Sequence, residues 1–275
     1  MPITLGAVCN FYNEANALPG WLETHTPFFD HVSFYQAGPG GAESNDGSIE
    51  ILEKWKVPIH RGKIDEGFGI VRTAAIRSSP CDFVMILDAD ERFHPIAQEM
   101  TCAGESTPPD VVGRVLYEYD RGIEFTACPS NYENVGQLGA KLSVSFGAVY
   151  NQGAWLRDIL EHGDLDAVKM IRRHWHDFSH KRPTQNWHID NDYQMRLVRN
   201  KESIHFAPDV KMHENLVGAS NVFQPNHTHG PFYDHYHMFF KHMEPMQRRH
   251  DVDIYDRIHR GESPLSWEQW LEKNK

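Results

Sequence analysis

The sequence predicts an α/β protein with a mainly parallel central sheet flanked by helices. Short apolar runs alternate with amphipathic stretches through the first ninety residues. That rhythm of strand and helix implies βαβ units with right-handed crossovers. Polar residues also follow each apolar run, as expected where parallel strands present their carboxyl ends to a ligand.

Seven elements are predicted in the first ninety residues. The run from Ile3 to Cys9 is apolar enough for a buried strand, and Pro19 stands in the first turn of the next amphipathic stretch, where proline is tolerated. Strands are predicted at 3–9, 31–36, 57–60 and 82–87, and helices at 18–29, 48–55 and 68–78.

The pattern is less regular after residue 93. A loop is predicted at 93–109, because TCAGESTPP is polar and rich in turn-forming residues. The segment 174–191 is polar, aromatic and irregular. Further strands are predicted at 111–119, 123–127, 142–150 and 203–213, and an aromatic-rich helix at 231–250.

A last helix is predicted in the C-terminal stretch SPLSWEQWLEKNK, which begins with a Ser and a Pro and carries Trp267, Trp270 and Leu271 on one face. Docking of that face on the chain's own domain is favoured over a partner or a membrane surface. The predicted organisation is a single domain in three parts, at 1–93, 94–230 and 231–275.

Charge and composition exclude several classes of protein. Lys and Arg number 27 against 38 Asp and Glu, so the formal net charge of -11 excludes the simplest basic nucleic-acid binder. An apolar fraction of 40% is typical of a globular chain. No apolar run reaches the roughly 18 residues of a membrane span. The N-terminus lacks a signal-peptide pattern and the four cysteines form no CxxC, so a cytoplasmic protein is expected.

Histidine is enriched to 18 residues, mostly after residue 170. The run HWHDFSH at 174–180 lacks the HxHxDH spacing of metallohydrolases, which favours a polar acceptor-side loop. The histidines between 227 and 242 lie among aromatic residues. A packed aromatic helix with polar tips explains that group better than a zinc site.

The most informative motif is FVMILDADERF, at 83–93. An apolar strand that ends in Asp88-Ala89-Asp90 places two carboxylates at the carboxyl edge of a sheet, where both are able to face one cation. Mg2+ and Mn2+ prefer oxygen ligands and keep positions open for phosphate oxygens. A solvated acidic turn is the alternative, but the buried strand and the upstream βαβ layout favour a cation site.

Three stretches together resemble the GT-A fold glycosyltransferases of the family 2 type. They are NFYNEANALPGWLETH, SNDGSIEILEKW and EGFGIVRTAAIRSSPCDFVMILDADERF. The likeness returns in NDYQMRLVRNKESIHFAPDVKMHENLVG at 191–218, which is similar to the acceptor-side stretch of those enzymes. The resemblance implies a GT-A (Rossmann-like) fold. It makes 1–93 the nucleotide-sugar-binding half, 94–230 the remainder of the catalytic domain with the acceptor side, and 231–275 a C-terminal helical extension.

The resemblance also implies donor-binding residues. Asn13 and Glu14 follow the first strand, where the family binds the nucleotide base and ribose. Asp46 matches an acidic residue that contacts the nucleoside, and Arg72 stands where the family has a residue near the diphosphate. Asp88 is the remaining predicted contact to the nucleotide sugar.

A metal site and a general base are implied in the same way. Asp88 and Asp90 match the pair that contacts the metal and the ribose, and His213 matches a histidine able to complete the metal site, so all three are predicted to hold Mn2+ or Mg2+. Asp192 falls where many inverting members carry the general base. An N-cap of a helix over DYQMRLVRN is equally open for Asp192. The alternatives for the base are Asp190 and Glu214.

The chemistry leads to the same function. Glycosyl transfer develops negative charge on the leaving diphosphate, which a divalent ion stabilises, and a carboxylate takes the acceptor proton. The sequence predicts a metal-dependent, inverting glycosyltransferase, hexosyl- or related, with a nucleoside-diphosphate sugar donor. The acceptor hydroxyl is expected on a saccharide or lipid-linked glycan, with a protein or modified nucleobase also open. The alternatives are a catalytically silent nucleotide-sugar or glycan-binding module on the same fold and a histidine-dependent metallohydrolase.

Overall fold

A mixed α/β architecture surrounds one central sheet. The computed structural model describes residues 2–106, 140–175, 178, 193–208, 215–225, 230–236 and 245–274. Its strands are β1 (Leu5–Phe11), β2 (His31–Gly38), β3 (Ile59–Lys63), β4 (Phe83–Ile86), β5 (Glu91–Arg92), β6 (Ile96–Ser106), β7 (Ala140–Asn151), β8 (Ala167–His174), β9 (Tyr193–Arg199), β10 (His205–Phe206), β11 (Leu216–Val217), β12 (Val222–Phe223) and β13 (Phe232–His235). Its helices are α1 (Leu18–His25), α2 (Ser48–Trp55), α3 (Phe68–Ser78), α4 (Gln152–His162), α5 (Pro245–Arg260) and α6 (Trp267–Lys273).

The central sheet is mainly parallel, as predicted. Within the described ranges it contains nine strands in the order β3-β2-β1-β4-β9-β8-β13-β5, with β12 also paired to β8. Strand β9 runs antiparallel between β4 and β8, and β5 runs antiparallel to β13. The carboxyl ends of β1, β2, β4, β8 and β13 therefore meet the first residues of β5 and β9 at one edge of the sheet.

Helices cover both faces of the sheet, and the sequence of β1 shows why. Ala7 and Cys9 point to the apolar cluster formed with α1, α2 and α4, whereas Val8 points to the opposite cluster, formed with α3. Buried parallel strands carry apolar residues on both faces for this reason. A third cluster joins Ile254 and Ile258 of α5 to the ends of β2 and α3.

The N-terminal elements agree with the sequence patterns. Helices α2 and α3 have the predicted bounds, and a proline stands in the first turn of α1. Helix α1 ends at His25, four residues earlier than predicted, and β1 and β3 begin two residues later. The predicted strand at 142–150 is the centre of β7.

Four predictions after residue 93 are wrong. The expected loop at 93–109 contains β6, which pairs with β7 along most of its length, and the expected helix after Asp192 is instead β9. The first part of the expected helix at 231–250 is β13, inserted between β8 and β5, and in the last part residues from Pro245 onwards belong to helix α5. The predicted final strand at 203–213 is described only as far as residue 208, and within 203–208 the strand is limited to His205–Phe206. Hydrogen bonding to strands that are distant in sequence determined the secondary structure of the segments that form β6, β9 and β13.

Other expectations lie outside the described residues. They are the strands at 111–119 and 123–127 and most of the irregular segment 174–191. Every helix in the described ranges is too short or too polar to cross a membrane.

The C-terminal helix docks on its own domain, as predicted. Helix α6 begins one turn later than the Ser-Pro pair suggested, at a capping box between Ser266 and Gln269. Trp270 is only 6% exposed, and its ring lies against His250 of α5 with centroids 5.6 Å apart.

His25 lies at the end of α1 inside the core, where its environment opposes protonation. Its side chain is fully buried, and Nε2 accepts a hydrogen bond from the Phe93 N–H at 2.9 Å. Its ring packs on Trp21 with centroids 4.3 Å apart. Burial lowers the pKa of His25 well below its ordinary value of 6.5, and the charge of Arg92 lowers it further.

We expect His25 to make the fold sensitive to acid. Below about pH 6.5 the unfolded chain binds a proton that the folded chain does not, so stability falls as the pH falls, by about 1.4 kcal/mol between about pH 7.5 and 5.5. His25→Gln keeps a hydrogen-bond acceptor but has no titrating group. Between about pH 7.5 and 5.5, the free energy of unfolding of this variant, measured in urea, should therefore fall by about 1.4 kcal/mol less than that of the wild type. His205→Gln, at a half-buried histidine of β10, is the control. An unchanged pH slope in His25→Gln would contradict the expectation.

Candidate active site

Asp88 is the centre of a charged cluster at the carboxyl edge of the sheet. Its Oδ2 accepts hydrogen bonds from Arg72 of α3 at 3.1 Å and from Arg196 of β9 at 3.2 Å. The Asp88 side chain is 34% exposed, while the two arginines are nearly buried. Burial raises the pKa of Asp88, but the two guanidinium groups outweigh it and hold the pKa at about 2. Asp88 is therefore an anion at every physiological pH.

Glu91 is a buried carboxylate that orders the turn. Its Oε2 accepts the Asp88 backbone N–H at 2.9 Å, and its Oε1 accepts a hydrogen bond from Arg196. Arg196 also donates to the Tyr233 hydroxyl at 3.1 Å and lies over that ring. Burial, together with the charges of Asp88 and Asp90, raises the pKa of Glu91 to about 7, against the opposing effect of Arg196.

Asp90 lies beside a pair of histidines. The Nε2 of His235 in β13 is 3.3 Å from an Asp90 carboxylate oxygen, and Nδ1 of His235 is 2.9 Å from Nδ1 of His174 in β8. Burial lowers the pKa of His235 to about 3, so its imidazole is neutral at neutral pH. A neutral imidazole has one N–H, so two arrangements satisfy these contacts. In one, Nε2–H of His235 donates to Asp90 and Nδ1 accepts from His174. In the other, Nδ1–H of His235 donates to His174 and Nε2 presents a lone pair.

The loop after β1 is tied to the start of α2. Asn13 has a positive φ of 56°, and its Oδ1 accepts the Asn45 N–H at 2.9 Å. The Glu14 N–H donates to Ser48 Oγ at 2.8 Å. Asp46 accepts hydrogen bonds from the Ala15 N–H through Oδ2 at 2.8 Å and from the Ser48 N–H and hydroxyl through Oδ1. Both carboxylate oxygens of Asp46 therefore have hydrogen-bond donors within the loops after β1 and β2.

The donors near Asp90 fit a divalent cation only in part. Asp90 offers a carboxylate oxygen, which is the donor that Mn2+ and Mg2+ prefer, whereas the neutral Nε2 of His235, 3.3 Å away, is a nitrogen donor that Mg2+ does not favour. Asp88 fits less well, because two guanidinium groups already neutralise it. Among the described residues, no group of three or more His, Cys, Asp or Glu side chains is arranged to hold a metal.

The structure brings together only some of the predicted residues. Arg72, Asp88 and Asp90 meet at one edge, with Asn13, Glu14 and Asp46 in the adjoining loops. The remaining predicted ligand, His213, and the candidate bases Asp192, Asp190 and Glu214 lie outside the described residues.

Sequence patterns missed Arg196, Glu91 and His235. Glu91 directly follows the DxD motif, which is a signal available in the sequence. Arg196 and His235 lie in segments predicted to be helical, so neither was placed at the sheet edge. Only their pairing as β9 and β13 brings them to Asp88 and Asp90.

Comparison with protein-family profiles finds no match to this chain, and comparison with curated sequences finds none either. Three solved structures show a distant likeness. S. aureus TarS is 12% identical, with 93% of this chain and 42% of that chain covered and a TM-score of 0.47. TarS 1-349 in complex with UDP is 17% identical over 34% of this chain and 29% of that one, with a TM-score of 0.28.

The third is glucosyl-3-phosphoglycerate synthase from Mycobacterium tuberculosis, in complex with Mn2+, uridine diphosphate and glucosyl-3-phosphoglycerate. It is 15% identical over 32% of this chain and 34% of that chain, with a TM-score of 0.27. The matched part of this chain thus spans between 29% and 42% of the chains in these three structures. At such low scores, neither activity nor residue roles transfer to this chain.

The buried ion pair between Arg196 and Glu91 should be a major determinant of stability. Removing one partner of a buried pair leaves an uncompensated charge, so Arg196→Met should lower the free energy of unfolding by about 3 kcal/mol. Arg61→Met removes an exposed arginine paired with Glu43 and should cost about 0–1 kcal/mol. Urea unfolding measures both. Equal losses in the two variants would contradict a special role for the buried pair.

Proposed function

We propose that this chain is a metal-dependent, inverting glycosyltransferase of the GT-A type, hexosyl- or related, with a nucleoside-diphosphate sugar as donor. One observation carries the proposal. Asp88 with its two arginines and Asp90 with His235 meet at the carboxyl edge of a mainly parallel sheet. Such a site offers positive charge and a cation position side by side, which is what a leaving diphosphate requires.

The donor would lie across the ends of β1 and β4. The loop from Asn10 to Glu14 is proposed to contact the nucleoside, and Asp88 the ribose. Arg72 reaches the same space from α3 and would neutralise part of the diphosphate charge. Arg196 is nearly buried beneath Asp88 and would orient that carboxylate for the donor. Asp46 supports this arrangement by holding the loop after β1 in place.

Asp90 and His235 would hold the divalent cation, with His213 as the further predicted ligand. When bound, the cation supplies Lewis-acid stabilisation of the charge that develops on the departing diphosphate. His174 would support the site by accepting a hydrogen bond from Nδ1–H of His235, which leaves the lone pair of His235 Nε2 for the cation. Asp90 and His235 would thus hold the cation and His174 would orient His235, while the proton of the acceptor hydroxyl is taken by a different residue.

Asp192 is proposed as the general base that accepts the proton of the acceptor hydroxyl. It directly precedes Tyr193, the first residue of β9, which starts at the edge of the sheet where Asp88 lies. A helix cap is no longer the competing role, because the following residues are a strand. The acceptor is proposed to be a saccharide or a lipid-linked glycan, in line with the family resemblance.

Metal removal tests the cation site. Turnover, measured as release of nucleoside diphosphate from a panel of donor sugars, should be lost in EDTA and restored by Mn2+ or Mg2+. Asp90→Asn should lower turnover at least about 100-fold with an unchanged melting temperature, because the cation loses its carboxylate ligand. Asp158→Asn, at an exposed aspartate of α4, is the control. Full turnover after exhaustive EDTA treatment would overturn metal dependence, and no turnover with any donor would favour a silent binding module.

A second substitution tests the base. Asp192→Asn should lower turnover by about 10²–10⁴-fold while the dissociation constant for the donor stays the same, since a base acts on the acceptor. Donor binding is measured by calorimetry and turnover by nucleoside diphosphate release. A near wild-type rate would remove Asp192 from the chemistry and make Asp190 or Glu214 the next residue to substitute.

A further inference from the structure

Arg92 of β5 is a buried guanidinium group between the turn at 88–90 and helix α1. The residue is 2% exposed. Its Nη1 donates hydrogen bonds to the Ala89 carbonyl at 2.6 Å and to the Glu91 carbonyl at 2.8 Å, and its Nη2 donates to the Ala17 carbonyl at 2.8 Å. Ala17 is the N-cap residue of α1. One side chain therefore joins the turn to the start of this helix.

The start of α1 is also the end of the loop after β1. The Ala17 N–H donates to the Glu14 carbonyl at 2.9 Å, so Ala17 belongs to the same hydrogen-bonded turn as that loop. Glu91 and Arg92 are successive residues of β5, and their side chains leave opposite faces of the strand. Glu91 contacts Arg196 of β9, whereas Arg92 contacts α1. The turn at 88–90 is therefore held from both sides.

The contacts of Arg92 fix its guanidinium group in one orientation. Burial lowers the pKa of Arg92 to about 10, while the charges of Asp90 and Glu14 raise it, so the group is a cation at neutral pH. A buried cation requires hydrogen-bond acceptors, and three backbone carbonyls supply them here. The planar guanidinium donates in fixed directions, so these carbonyls are also held relative to one another.

Gly20 of α1 leaves the space that the guanidinium group occupies. A Cβ atom at this position would lie 3.3 Å from Nη2 of Arg92, which is closer than ordinary van der Waals contact. Glycine inside a helix costs about 0.5–1 kcal/mol relative to alanine. The close approach of Arg92 is thus a physical reason for glycine at a position where the helix alone favours alanine.

We propose that Arg92 is a positioning residue for the donor, which holds the turn at 88–90 and the loop after β1 at a fixed separation. The inference rests on the proposed function, in which the turn contacts the ribose and the cation while the loop contacts the nucleoside. Because one donor molecule must contact both parts at once, their separation affects its affinity. Arg92 acts through these two parts and, being buried, does not touch the donor.

A conservative substitution tests the inference. Arg92→Lys keeps the positive charge but loses the planar fork that reaches carbonyls on two sides. The matched control is Arg77→Lys, because Arg77 also donates to backbone carbonyls, those of Lys201 and Ile204. Arg77 lies at the opposite edge of the sheet, where it also donates to Asn200 after the end of β9. The dissociation constants of uridine, guanosine, cytidine and adenosine diphosphates are measured by calorimetry with Mn2+ present, together with melting temperatures.

Arg92→Lys should weaken binding of the preferred nucleoside diphosphate by about tenfold or more, because small misplacements of binding groups are costly. Arg77→Lys should leave that affinity within about twofold of the wild type, since it does not contact either part of the donor site. Unchanged affinity in Arg92→Lys, or equal losses in the two variants, would overturn this inference alone. A wild-type chain that binds no nucleoside diphosphate would overturn the proposed function, and this inference with it.

Gly20→Ala tests the same contact from the side of α1. The added methyl group would displace Nη2 of Arg92 without removing its charge, so binding of the nucleoside diphosphate should weaken by about threefold or more. In the Arg92→Lys background the same substitution should have little further effect, because the atom that the methyl group would contact is absent. This variant also serves if Arg92→Lys does not fold. Additive losses in the double variant would contradict a shared action through Arg92.

Discussion

The interaction on which the site depends is the contact of the Asp88 carboxylate with Arg72 and Arg196. Burial raises the pKa of Asp88, and the two guanidinium groups reverse that effect, so the carboxylate is an anion because of its positive partners. The two arginines come from α3 and β9, so a single carboxylate joins elements from both halves of the chain. Glu91 accepts a hydrogen bond from Arg196 through Oε1 and one from the Asp88 backbone N–H through Oε2, so it also stabilises the turn. The charge at Asp88 and the geometry of the turn are thus parts of one network.

Chain direction explains why this network lies at one edge. Strand β9 is antiparallel to β4, so its first residues lie at the carboxyl end of β4. The last residues of β8 and β13 lie at the same edge of the sheet. Charged groups therefore gather at the ends of β4, β8, β9 and β13. The loops after β1 and β2, beside the C-terminal helices, carry Glu14, Glu43 and Asp46 together with the aromatic ring of Tyr12.

Local sequence determined the N-terminal elements well. Helix α2 has a strong amphipathic pattern, and β1 and β4 are short, mostly apolar runs. The later strands β6, β9 and β13 contain polar or aromatic residues that fit either a helix or a strand. Their conformation follows from the hydrogen bonds that distant strands supply, and a local pattern contains no information about those partners.

For the site, the sequence by itself determined that acidic residues end a buried strand and that the loop after β1 lies near them, while the place of Arg72 was implied by the family resemblance. Motif and chain order are enough for this, because parallel strands always place their carboxyl ends together. Only the tertiary structure decided that Arg196 and Glu91 neutralise and orient Asp88, that His235 and His174 stand beside Asp90, and that Asn45 of the loop after β2 bonds to Glu268 of α6. These contacts join residues up to 223 positions apart in the chain. Burial and charge compensation select such contacts, and both are properties of the folded arrangement.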